Sequence, residues 1–186
     1  MAEMKRGANV ALTREIPGLR RLALGISWNA GAERVLDENL VFAAVLLGPD
    51  GRARSDKDFI FFNQLTAPDE SVQQLEKALG GDREQIEVDL AAVPAEIDRI
   101  AVVLYVNEGP AQHRTLGQLR SCVVRIVNAE DSRELVRSEE LASAFSSETA
   151  VVLGELYRHD GWKFRVLGQG YAKGVAGVAA DYGVPL

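Results

Sequence analysis

Hydrophobic and polar side chains alternate with a period of two along much of this chain. Leu22, Leu24, Ile26 and Trp28 fall on one side of their run, with Ala23, Gly25 and Ser27 on the other. Cys122, Val124 and Ile126 alternate with Val123, Arg125 and Val127, and Trp162, Phe164 and Val166 alternate with Lys163, Arg165 and Leu167. This spacing predicts strands that lay one face on a core. Four other runs are apolar on both sides: Leu40–Gly48, Asp58–Phe62, Gln85–Leu90 and Ile100–Val106. They predict strands covered on both faces.

Turn formers separate the runs. Gly48-Pro49-Asp50-Gly51, Ala67-Pro68-Asp69, Gly80-Gly81-Asp82 and His159-Asp160-Gly161 all punctuate the pattern. Asp160-Gly161, set between two alternating runs, predicts a hairpin closed through positive φ. Helical signals are few. Pro94–Arg99 predicts one turn, and the Ala- and Gly-rich Gly170–Tyr182 predicts a weak closing helix. The polar Ser132–Ser146 segment predicts a strand at Glu134–Val136 with a loop after it. Short strands without long crossover helices predict a mainly β fold, a β-sandwich of two packed, mostly antiparallel sheets with a few short helices. The length of 186 residues fits a single domain over 1–186.

Composition narrows the function classes. A net charge of −6 argues against nucleic acid as a partner. No apolar stretch approaches the roughly 18 residues of a membrane span, so no direct membrane insertion is expected. The N-terminal residues carry Lys5 and Arg6 without a following apolar core, which predicts a cytoplasmic protein. One cysteine, Cys122, lies inside an apolar run and reads as a buried thiol.

Catalytic signatures are sparse. The two histidines, His113 and His159, lie outside any HExxH spacing and beside no G-x-S-x-G elbow, and Gly168-Gln169-Gly170 does not extend to a dinucleotide-binding turn. No enzyme activity is expected. Acidic residues gather at Asp37-Glu38-Asn39, at Asp50 with Asp56 and Asp58, and at Asp82 with Glu84. Calcium needs six to eight oxygens from several such groups. Each cluster alone reads as solvated loop charge. The alternation places Asp56 and Asp58 on one strand face, which fits either a cation-lining pair or a cap at a strand start. A small-ligand or hydrolytic pocket near Asp56, Asp58 and Arg114 is a third reading.

Longer motifs go further. Arg6-Gly7-Ala8-Asn9-Val10-Ala11-Leu12-Thr13 is similar to KGxNVSLTK, and Leu24-Gly25-Ile26-Ser27-Trp28 to VGLGWD. Ser55–Asn63 is similar to SDxDFVFYN, and Glu84–Leu90 to DEQIxVDL. Gly154-Glu155-Leu156-Tyr157-Arg158 and Gly168-Gln169-Gly170-Tyr171 complete a collinear set. These motifs resemble the TerD family of tellurium-resistance and stress-response proteins over essentially the whole chain. The resemblance implies a β-sandwich, a role in tellurite or chemical-stress resistance, and two bound calcium ions in an acidic loop region.

The departures fall on the acids. Asn29 stands where the family has Asp after its Trp, and Asn39-Leu40-Val41 replaces the start of DLDAS. Glu76–Ile86 replaces a loop rich in Gly and Asp, keeping Asp82 and Glu84 but placing Arg83 at an Asp position. Val106-Asn107-Glu108-Gly109 replaces IHDA. Each Asp-to-Asn change removes a charge beside a divalent ion, and Arg83 adds a cation where a metal would sit. Calcium, the cofactor the resemblance implies, is therefore expected to bind weakly or not at all. The side chains left for a residual site are Asn29, Asn39, Asp82, Glu84 and Asn107. Other TerD-family proteins or membrane-associated stress proteins are the partners the resemblance implies.

Overall fold

In the computed structural model, which describes residues 3–75, 80–107 and 114–185, twelve strands form two six-stranded sheets. The strands are β1 (Glu3–Met4), β2 (Asn9–Ala11), β3 (Arg21–Asn29), β4 (Leu40–Leu47), β5 (Phe59–Ile60) and β6 (Val72–Gln74). They continue with β7 (Glu84–Asp89), β8 (Arg99–Val106), β9 (Ser121–Asn128), β10 (Glu134–Ser138), β11 (Ala150–Arg158) and β12 (Trp162–Tyr171). One sheet runs β1-β10-β9-β3-β7-β6 and the other β2-β12-β11-β8-β4-β5. All pairings are antiparallel except β1 with β10. Three short helices, α1 (Leu12–Glu15), α2 (Arg34–Glu38) and α3 (Val175–Tyr182), complete the frame.

The period-two pattern lands as predicted. Leu22, Leu24 and Ile26 of β3, Cys122, Val124 and Ile126 of β9, and Phe164 and Val166 of β12 are fully buried between the sheets. Every residue of β4 is buried, and so is all of β8 after Arg99. A second apolar layer explains this. Val41, Ala43, Val45, Ala101, Val103 and Tyr105 point away from the sandwich interior and are covered by Val178 and Ala179 of α3. At about 25 cal/mol per Å² of apolar area, covering that second face is what holds a helix whose own sequence is rich in Gly and Ala.

Several boundaries differ from the sequence reading. β7 is covered on both sides only at Gln85, because the face opposite Ile86 and Val88 carries Glu87 and Asp89, which stay half-buried. The apolar run at Asp58–Phe62 pairs as a strand only at Phe59–Ile60; Phe62 stands at the tip of the turn between Phe61 and Gln64 and is exposed. Residues 170 and 171 prolong β12, and the helix begins after Gly174. Pro94 and Ile97 close a single hydrogen-bonded turn. β10 runs two residues past the predicted Val136. The Asp160-Gly161 hairpin joins β11 to β12 with φ of 53° and 98°, the positive values the pair was expected to supply.

Candidate functional site

The sequence places its candidate calcium-site residues in loops, and the structure distributes them over three environments. In the first, β3 ends at Trp28 and Asn29, and α2 packs beside it through buried Leu36. A cleft of about 500 Å³ opens there, lined by Trp28, Asn29, Gly31, Arg34, Asp37 and Arg83, among others. Asp37 is occupied from both sides. Trp28 Nε1 donates to Asp37 Oδ1 at 2.9 Å, and Arg83 Nη2 donates to Asp37 Oδ2 at 2.9 Å. The guanidinium carbon of Arg83 lies 4.8 Å from the centre of the Trp28 ring. The Arg83 hydrogen bond holds the Asp37 carboxyl below the usual carboxylate range. Asn29 Oδ1 accepts from the Gly31 N–H at 2.7 Å.

In the second environment, Asn39, Glu84 and Asn107 line one smaller cleft of about 290 Å³ with Val41 and Phe62. The Asn107 N–H donates to Asn39 O at 2.8 Å, and Asn39 Nδ2 donates to Val35 O at 2.8 Å. Glu84, at the start of β7, accepts from Gln74 Nε2 at 2.8 Å. Burial pushes its carboxyl up to about 7, against the opposing pull of Arg83, Gln74 and the Phe42 N–H. Gln74 is itself buried, and its Oε1 has no hydrogen-bond partner.

The third environment lies on the outer face of the first sheet. Asp82 folds back over Gly25, in the space a Cβ there would occupy. Its side chain is 2% exposed and meets Arg125 Nε at 2.8 Å and Gln85 Nε2 at 2.6 Å. Arg125 continues to Glu134, which also binds Arg137. Sequence reasoning named Asp37 only as part of an acidic cluster, and did not find Arg125 or Gly25 as neighbours of Asp82. The alternation puts Gly25 and Arg125 on one face, and their register as neighbours across β3 and β9 is the signal that links them.

Thus the structure brings together Asn39, Glu84 and Asn107, sets Asn29 in the adjoining cleft, and draws Asp82 away. Asp56 and Asp58 do not share a strand face: they belong to a single 3-10 turn, Asp56–Asp58, capped by Ser55. Asp56 is exposed. Asp58 is buried and takes Arg54 Nε at 3.0 Å, Nη2 at 2.8 Å and the Arg54 N–H at 2.8 Å. Such a fully engaged carboxylate caps and pins the loop before β5, and offers no oxygen to a ligand or a water nucleophile. His159 is exposed in the β11–β12 turn. Glu76–Leu79, Glu108, Gly109 and His113 lie outside the described residues. Among the described residues, no three His, Cys, Asp or Glu side chains gather as a metal-holding group.

Two antiparallel-dominated sheets with acids spent on neighbouring arginines define a β-sandwich with a cleft at one end. Among the described residues, no helix is long and apolar enough to cross a membrane. The chain belongs to the TerD family: the TerD domain matches residues 1–182. It is 39% identical over 186 residues to tellurium resistance protein TerD of Serratia marcescens, covering 97% of this chain and 96% of that one. It is 41% identical over 187 residues to general stress protein 16U of Bacillus subtilis (strain 168), with the same coverage. A solved Streptomyces coelicolor A3(2) homologue of the telluride resistance protein TerD superposes with a TM-score of 0.66 at 19% identity, covering 87% of this chain and 96% of that one.

Proposed function

We infer that this chain is a non-enzymatic, cytoplasmic TerD-family protein of tellurite or chemical-stress resistance, which acts by binding a partner and has lost calcium control. The observation that carries the reading is that arginine side chains hold the acids. Arg83 pairs with Asp37, and Arg125 pairs with Asp82, so two carboxylates have their charge met within the protein. The remaining donors do not fit calcium. Asn29, Asn39 and Asn107 carry no charge, and Glu84, raised to about 7, holds a proton half the time near neutral pH. Calcium affinity follows the number of charged oxygens, and this set falls short. The relatives named for tellurium resistance and general stress support the biological role.

A second reading keeps one weak calcium site, because Asn39, Glu84 and Asn107 do line one cleft. Calorimetric titration of calcium into chelator-treated protein separates the two. Loss of control predicts no heat and no change in melting temperature at millimolar calcium. Micromolar binding with a rising melting temperature would establish the second reading instead.

A further inference from the structure

We propose that the cleft shared by Asn39, Glu84 and Asn107 receives a lysine side chain of a partner protein. The inference rests on the reading above, in which calcium no longer occupies these residues, and it gives the partner a chemistry. The lining holds two carboxylates, Glu38 and Glu84, and no Lys or Arg. Arg83 acts on Glu84 from the adjoining cleft, where it is already paired with Asp37. The cleft therefore presents negative charge without a cation of its own.

The uncharged groups select the same occupant. Asn39 Nδ2 donates to Val35 O at 2.8 Å, which leaves Asn39 Oδ1 as the unspent acceptor. Among the described residues, no hydrogen bond engages the Asn107 side chain, so its amide adds a further oxygen. Behind Glu84 the shortage of donors continues: Gln74 is 8% exposed, and its Oε1 has none. A lysine ammonium is a donor only, with three N–H groups to share among the oxygens of Asn39, Glu84 and Asn107. Leu40, Val41 and Phe62 supply an apolar wall, along which the four-carbon stem lies while the charged head reaches those oxygens. The volume of about 290 Å³ takes one such side chain. The rim argues for a protein rather than a free amine. Phe62 and Val35 are two of the three large hydrophobic side chains exposed among the described residues. Phe62 lines the cleft, and Val35 adjoins it through the carbonyl that Asn39 holds. Both offer apolar contact to residues flanking the lysine.

The site has its own reporter. The Gln74 side-chain amide donates to Glu84, and its NMR signal follows what reaches that carboxyl. The full chain is titrated at about pH 8, where Glu84 is ionised, with the capped peptide acetyl-Ala-Leu-Lys-Leu-Ala-amide. The Gln74 signal is expected to shift saturably, and the indole signal of Trp162, at the β11–β12 hairpin, to stay in place. The same peptide with glutamine for lysine should give no shift. Cadaverine, which carries the ammonium and its stem without flanking residues, should bind at least about tenfold more weakly. Glu84→Gln should weaken peptide binding at least about tenfold. Phe62→Ala, a change at an exposed side chain, should weaken it about two- to fivefold. No shift at millimolar peptide, an equal response to the glutamine peptide, equal affinity for cadaverine, or unchanged affinity in Glu84→Gln overturns the proposal. A parallel calcium titration followed on the same signal tests the underlying reading alone: a calcium-induced shift refutes loss of calcium control, whatever the peptide does.

Discussion

Replacing Glu84 by glutamine should make the protein more stable at alkaline pH. The carboxyl is raised from 4.5 to about 7, chiefly by burial. The native state therefore keeps a proton in the window between those values, where the unfolded chain has already released it. Stability falls as pH climbs through that window, and the penalty is complete above about pH 7. At about 1.36 kcal/mol per pKa unit the full shift corresponds to about 3 kcal/mol. The side chain retains part of its solvent contact, so about 1–2 kcal/mol is the working figure after screening. The introduced amide also repairs a defect. Its carbonyl can accept from Gln74 Nε2 as the Glu84 carboxylate does, while its N–H supplies a donor beside the unpartnered Gln74 Oε1. That reciprocal pair contributes about 1 kcal/mol more, at any pH. Urea unfolding of both proteins at about pH 5 and about pH 8 measures the difference directly, with equal slopes confirming that the unfolded state is unchanged. The advantage of Glu84→Gln should grow by about 1–2 kcal/mol between the two conditions. An advantage that stays constant, or shrinks, with rising pH would refute the argument.

Arg125→Met should destabilise by about 3 kcal/mol in chemical denaturation, since it leaves Asp82 buried beneath the outer face without its cation. Arg54→Leu should cost about 3–5 kcal/mol for the same reason at Asp58, and limited proteolysis should then cut near the Asp56–Asp58 turn. Gly25→Ala should lower the melting temperature, because its new methyl displaces Asp82 from Arg125, at about 2 kcal/mol. Burial pushes the Cys122 thiol up to about 12, so the native protein should resist aromatic disulfide reagents and react with one equivalent only on unfolding.

The sheets were legible because the side-chain period is a direct consequence of backbone pleating. Leu22 to Trp28 needed no partner to declare their inward face. The doubly apolar β4 and β8 also announced a second covering layer, although the Gly- and Ala-rich segment that supplies it gave only a weak helical signal. β7 misled because Gln85 is buried by hydrogen bonding to Asp82 rather than by apolar packing. The site was legible only in part. Residue identity revealed which acids had become Asn, Val or Arg, since charge is a property of the single side chain. It did not reveal where the remaining acids turn. Asp82 meets Arg125 across 43 positions and Asp37 meets Arg83 across 46, separations that no local pattern encodes. Asp56 and Asp58 were assigned to one strand face because a short 3-10 turn leaves no periodic trace.

The segment from Glu3 to Ala11 joins the outer margins of both sheets, β1 against β10 and β2 against β12. During synthesis these residues leave the ribosome well ahead of the strands that seat them, which lie more than a hundred positions further along. Until β10 and β12 are in place, the segment has nothing to pair with, and until it arrives both sheets present open backbone to any neighbouring chain. Its docking thus waits on strands made late in synthesis, and like a latch it closes two margins at once.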